Sequence, residues 1–196
     1  MTRPGNWWKS IGRKQAVRIE FERTISLIAG TAPQCLKRMK GVIIWRVTEP
    51  DLEAIAIGAG ILGTGGGGNP YVGKLRARQA IREYGSVDIL SPNELPEDAR
   101  IVCVGIIGAP TVGNEKIPDY QSYYALRALE AFVDQPATAL LPNEIGGTNS
   151  VESFVPASIA RIPVVDADGM GRAFPEFQMK TFLHIRCSVH TNGACR

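Results

Sequence analysis

Ile101-Val102-Cys103-Val104-Gly105-Ile106-Ile107 runs straight into Gly108-Ala109-Pro110-Thr111-Val112-Gly113. The first seven residues are apolar at odd and even positions alike, so neither face of a strand built from them is suited to water. Such a run reads as the central strand of a parallel sheet covered on both sides. Cys103 is then a small core residue. The turn that follows is rich in Gly and sits at the carboxyl end of the strand, where open α/β sheets bind ligands.

Reading outward, the same grammar repeats. Val87-Asp88-Ile89-Leu90 is a short strand, and Ser91–Pro96 a turn with a helical turn. Residues 119–133 are amphipathic through Tyr120, Tyr123, Tyr124, Leu126, Leu129 and Phe132. Ala137–Leu141 is a buried strand, Asn149 or Ser150 caps a helix to about Ala160, and Ile162-Pro163-Val164-Val165 is a further strand. Strands alternating with helices predict an α/β layered domain, with a mostly parallel sheet flanked by helices and Gly-rich loops at the strand ends.

Upstream, Val42–Val47 reads as a strand or extended entry. Thr48-Glu49-Pro50-Asp51 opens a helix with capping-box spacing, and Leu52, Ile55, Ala56 and Ala59 recur at helical intervals. Gly58 and Gly60 are expected to loosen its end. Then comes Gly63-Thr64-Gly65-Gly66-Gly67-Gly68-Asn69-Pro70-Tyr71. A glycine run is costly to order and is kept where the backbone must approach something closely. Asn69 caps the next helix, Pro70 takes its first turn, and Gly85 ends it. The basic residues at 74, 76, 78 and 82 read as a solvated face, with Lys74 or Arg76 as the one candidate to meet an anionic ligand.

Composition narrows the class. Of 196 residues 44% are hydrophobic and 21% charged, ordinary globular usage. No apolar run reaches membrane-spanning length and no secretory leader is evident, so a cytoplasmic protein with no membrane role is expected. The four cysteines form no Cys-x-x-Cys pair, which removes zinc-ribbon and disulfide-framework readings. Residues 1–38 carry eight Lys/Arg against two Glu, whereas residues 39–183 carry twelve against seventeen Asp/Glu. The last thirteen residues add two Arg, so the basic balance belongs to the two ends, and no nucleic-acid partner is expected of the acidic body.

The candidate chemistry lies in the loops. Glu144, Asp166, Asp168, Arg172 and Glu176 are the ionisable groups of Pro142–Asn149 and Asp166–Glu176. Paired acids beside backbone N–H groups could position water, act as a general base or hold a hard cation. Glu144, Asp166, Asp168 and Arg172 are the candidate catalytic residues. Gly65, Gly66, Gly67, Gly68, Asn143 and Asn149 are the candidate substrate-binding residues. A divalent metal, if one is used, would fall to Asp166 and Asp168. Both histidines, His184 and His190, lie in the last thirteen residues, so the body has no imidazole for a Ser-His dyad or a zinc site. Gly63, Gly65 and Gly68 can be spelled Gly-x-Gly-x-x-Gly, but they follow a helix, and no Gly-Lys-Ser/Thr occurs. Dinucleotide and Walker-type readings are demoted.

Four blocks carry a resemblance: Trp45-Arg46-Val47-Thr48, GTGGGGNPY at 63–71, PNEIGGTNS at 142–150 and PVVDADGMGRAFPEFQM at 163–179. Together they resemble the amino-terminal domain of the S-methyl thiohydantoin desulfurase-like family, over about residues 43–183. The resemblance implies a hydrolase acting on thiohydantoin- or hydantoin-like five-membered rings with loss of a thiol, in a setting associated with hydantoinase-like proteins. It implies a second, carboxyl-terminal domain as well. Residues 1–42 are expected to be a basic extension, with Met39 a natural start. Residues 184–196 match no expected pattern and fit a one-base change of reading frame. On this reading the chain is a fragment, inactive alone, in which strand-end N–H groups polarise a ring carbonyl, Asp166 or Asp168 orients water or a metal, and Arg172 holds an anionic substituent. The alternative is a module that binds a small anion at Gly63–Gly68, or that docks as a homo-oligomer or onto a hydantoinase-like partner.

Overall fold

The computed structural model describes residues 43–116, 119–176 and 179–181. Helix and strand alternate as anticipated: β1 (Ile43–Val47), α1 (Asp51–Gly63), α2 (Pro70–Tyr84), β2 (Val87–Leu90), β3 (Ile101–Val104), α3 (Pro110–Glu115), α4 (Gln121–Val133), β4 (Ala139–Pro142), α5 (Asn149–Glu152), α6 (Phe154–Ala160) and β5 (Val164–Val165). The five strands form one sheet in the order β1-β2-β5-β4-β3. β2, β5, β4 and β3 are parallel, and β1 pairs antiparallel with β2. The α/β class is therefore correct.

The place of β3 is not as expected. It is an edge strand, four residues long, and Gly105–Ile107 leave the sheet. Val102 and Val104 are buried, while Ile101 and Cys103 on the other face are only partly so. Apolarity at every position reported a strand that avoids water and could not report how many neighbours it has.

One face of the sheet carries the main core, where Val47, Leu52, Ala77, Val87, Val102, Leu140, Val151, Phe154 and Val164 meet. Ala139, Leu141 and Val165 form a smaller cluster on the opposite face, with Leu95, Ile101 and Cys103 against it. β4 is buried at all four residues, as suits a strand with parallel neighbours on either side.

Local chemistry accounts for the helix bounds. Asp51 Oδ2 accepts from the Thr48 backbone N–H (2.8 Å) and hydroxyl (2.6 Å), closing the first turn of α1. Gly58 and Gly60 do not end that helix, which runs on to Gly63. Asn69 Oδ1 accepts from Tyr71 N–H (3.0 Å) at the start of α2, and Gly85, at φ 113°, donates its N–H to Ile81 O at the end. α2 lies against α1, α5 and α6.

The solvated basic face expected of α2 is corrected at two positions. Lys74 is buried and paired with Glu53 (2.7 Å), and the nearly buried Arg76 side chain is paired with Glu152 of α5. Arg82 remains exposed, gripping Glu49. The helix expected from 149 to 160 is two short ones that share Ser153 as a boundary, and the Asn149 side chain does not cap it. In α4, of the expected apolar face, Leu126 is buried, whereas Tyr124 and Phe132 are exposed. Residues 1–42 and 182–196, including His184, Cys187, His190 and Cys195, lie outside the described residues.

Candidate functional site

Because β2, β5, β4 and β3 run the same way, the segments after β3, β4 and β5 emerge on one edge of the sheet. The glycine loop between α1 and α2 joins them, and the reason is backbone contact. Gly147 N–H donates to Ala59 O (2.9 Å), Asn149 N–H to Gly67 O (3.2 Å), and the Thr148 hydroxyl to Asn69 O (2.7 Å). A Cβ at Gly67, where φ is +74°, would stand 2.1 Å from Gly146 O, and one at Gly147 would stand 2.3 Å from Gly68 O. The glycines thus let two loops lie main chain against main chain. The close approach anticipated for 63–68 has its partner in Gly146–Gly147, a pairing no local reading of either loop contains.

This seam forms one side of a cavity of about 960 Å³. Gly65–Gly68, Asn143, Glu144, Thr148 and Asn149 line it, with Ile106, Ile107, Met170 and Phe174 as its apolar wall and Arg76, Lys116 and Glu176 as further charged groups. The cavity is large enough for a small organic ligand and has the mixture of apolar wall and few polar groups that such sites show.

The polar groups differ in how far they are committed. Glu144 is buried and both its oxygens are in use, Oε1 accepting from Asn149 Nδ2 (2.7 Å) and Oε2 from Phe174 N–H (3.0 Å). Asn149 uses both ends of its amide, Oδ1 accepting from Ile106 N–H (2.6 Å) and Nδ2 donating also to Ile106 O (3.1 Å). Together they tie the ends of β3 and β4 to the 170s segment. Asn143 is buried too, but its Oδ1 has no partner among the described residues.

Asp168 is placed behind this wall. Its Oδ2 accepts from the N–H groups of Ile145 (2.9 Å), Met170 (3.2 Å) and Gly171 (2.7 Å), so it organises the turn and ties it to the loop after β4. Asp166 is exposed and outside the cavity lining, with its own N–H donated to Leu90 O (2.8 Å). Arg172 is exposed as well. It donates to Thr64 Oγ1 (2.9 Å) at the head of the glycine loop and lies over the Phe174 ring (5.3 Å).

The structure therefore brings Gly65, Gly66, Gly67, Gly68, Asn143, Glu144 and Asn149 to the cavity, and leaves Asp166, Asp168 and Arg172 off its lining. Among the described residues no group of three or more His, Cys, Asp or Glu converges as metal ligands. Asp168 Oδ2 is taken by three N–H donors, and Asp166 stands exposed off the cavity lining.

Arg76, with Lys74, was legible as a candidate from its nearness to the glycine loop. Its Nη1 is held by Glu152 and its Nη2 donates to Asp119 O (3.0 Å), which fixes the guanidinium at the cavity. Burial drives the Glu152 carboxyl above its usual range despite the Arg76 charge beside it. Burial likewise pushes the Cys103 thiol up and the Lys180 ammonium down, with Glu144 among the charges that act on Lys180 in the opposite sense. Cys103 does not line the cavity. Ile106, Ile107 and Phe174, the apolar wall, were missed, because nothing in an apolar loop residue distinguishes a wall from a core.

Residues 50–192 match the protein family described as "S-Me-THD-like, N-terminal domain". A protein from Chromobacterium violaceum, solved by X-ray crystallography, is similar in structure, with a TM-score of 0.59 and 27% sequence identity. The match covers 70% of this chain and 38% of that one. The chain thus spans well under half the length of that relative. No curated protein matches. Among the described residues no helix is long and apolar enough to cross a membrane.

Proposed function

The chain belongs to the S-Me-THD-like N-terminal domain family, and from that premise we propose that its cavity is the ring-binding half of a hydrolase acting on thiohydantoin- or hydantoin-like five-membered rings. The observation that carries this is the cavity itself: a main-chain wall at Gly65–Gly68, an apolar wall at Ile106, Ile107 and Phe174, and on the same lining the buried Asn143, whose Oδ1 has no partner among the described residues. A flat, apolar-edged ring with amide groups has the same distribution of surfaces. The family's name supports the thiohydantoin class.

In this proposal the domain binds and orients the ring, and the seam keeps the wall rigid while it does so. Glu144 holds the wall together, since both its oxygens are engaged. Activation of the attacking water then falls to groups outside this domain; the match to the Chromobacterium relative covers 38% of that chain. Residues 43–183 act as that one domain, and the chain by itself turns over no substrate.

The second reading, a small-anion module, has its support in Arg76 and Lys116 on the lining. Thermal shift and isothermal titration of the full chain decide between them. A 5-substituted hydantoin and an S-methyl thiohydantoin are expected to raise the melting temperature and bind, and inorganic phosphate is not. Stabilisation by phosphate with no response to either ring compound refutes the ring reading in favour of the anion module.

A further inference from the structure

We propose that the Asn143 carboxamide reads the edge of a cyclic amide, selecting ligands in which an unsubstituted N–H stands beside a carbonyl. The inference rests on the ring reading of the cavity and goes beyond it by naming the chemical group that is recognised and the residue that recognises it.

Three amide or carboxyl side chains adjoin on this wall. Asn149 and Glu144 spend both of their polar ends on the protein. Asn143 is 6% exposed and lines the same cavity, yet its carboxamide makes no hydrogen bond to the described residues and its Oδ1 is buried without a partner. Buried acceptors left without a donor are rare in native proteins and call for an explanation. A ligand that brings a donor supplies one.

Asn143 is also held in place. Its backbone N–H donates to Val104 O (2.7 Å), which locks the end of β4 to the end of β3. Directly beside it, any Cβ at Gly105 would stand 2.8 Å from Asn143 Cβ. The chain just past β3 is pared to hydrogen at Gly105, where it passes Asn143, and the Asn143 backbone keeps a fixed place at the end of β4.

The chemistry follows from what a carboxamide offers, one acceptor oxygen and one donor nitrogen side by side, in either orientation of the amide. A cis-amide edge of a five-membered ring offers the complementary pair, so the two close a cyclic pair of hydrogen bonds. Asn143, at 6% exposed, is itself largely withdrawn from water. Rejection of a ligand lacking the N–H is strong at such a site, because the buried polar group is then left unpaired.

The test is isothermal titration of the full chain with a 5-substituted hydantoin and with the same compound methylated on both ring nitrogens. The wild-type chain is expected to bind the parent at least tenfold more tightly than the methylated ring. Asn143→Ala is expected to erase that preference, and Asn143→Asp, which keeps an acceptor and loses the donor, to weaken the parent at least tenfold. Because the carboxamide makes no hydrogen bond to the described residues, Asn143→Ala should leave the urea midpoint close to that of wild type. Equal binding of the two compounds by the wild-type chain, or an unchanged preference in Asn143→Ala, overturns the assignment and leaves the ring site standing. Binding of neither compound overturns both.

Discussion

Three glycine-to-alanine substitutions separate what the glycine loop does from what glycine does anywhere. Gly58 lies inside α1 with nothing within 4 Å of an added Cβ, so Gly58→Ala should stabilise the chain by about 0.5–1 kcal/mol through helix propensity. Gly65 has φ +92° and equally open surroundings, so Gly65→Ala should lose about 1–2 kcal/mol, the strain of a left-handed residue with a side chain. Gly67 carries the same kind of φ, +74°, and its Cβ would meet Gly146 O at 2.1 Å, Gly146 C at 2.6 Å and Glu144 Oε1 at 3.1 Å. The listener to that contact is backbone, which has no rotamer to change. The loops must part, forfeiting the Asn149 N–H to Gly67 O bond (3.2 Å), about 0.5–1.5 kcal/mol. Overpacking of the seam adds about 1–3 kcal/mol. Gly67→Ala is therefore expected to lose about 3–6 kcal/mol, a large part of the roughly 5–15 kcal/mol that holds a domain of this size together. Urea denaturation followed by far-UV circular dichroism measures all three. If Gly67→Ala loses no more than Gly65→Ala, the seam does not hold the two loops together and the account of the cavity wall falls with it.

Two further outcomes follow from groups near the cavity. Asp168→Ala removes the acceptor of three N–H groups and should lose about 2–4 kcal/mol, with Asp168→Asn intermediate because one amide oxygen survives to accept them; equal urea midpoints for wild type and Asp168→Ala would refute its part in holding the turn. Glu152 titrates above the usual carboxylate range when folded because it is buried, so the folded chain binds its proton more tightly than the unfolded chain does. Ionising Glu152 therefore weakens the fold as pH rises from the ordinary carboxylate value through the raised one. Glu152→Gln, neutral throughout, should gain stability relative to wild type across that interval; a gap independent of pH between 4 and 8 would contradict it.

The α/β class was legible because alternation of strand and helix is a local property, written in apolar period and in caps such as Asn69 and Gly85. What escaped depends on residues far apart in the chain. Arg76 looked like one of four surface cations on a helix until Glu152, from α5, closed on it. Asp166 and Asp168 looked equivalent in an Asp-x-Asp pair. The backbone turns between them, so one faces water and the other gathers three N–H groups from two segments. Asn143 and Asn149 likewise looked alike as polar residues of one loop, and the positions of Ile106 and Glu144 distinguish the spent amide from the one whose Oδ1 has no partner among the described residues.

The main-chain seam has a consequence for anyone who would alter what the cavity accepts. A wall made of side chains can be reshaped one residue at a time. A wall made of two backbones has no such adjustable parts, and most changes to it are lost as misfolded protein before any new ligand preference can be seen. Variation that survives will concentrate on the opposite rim, at Ile106, Ile107 and Phe174, where exposed side chains can change size without moving the main chain. A library confined to those three positions should yield folded variants of differing ligand size far more often than one that spreads its mutations into Gly65–Gly68.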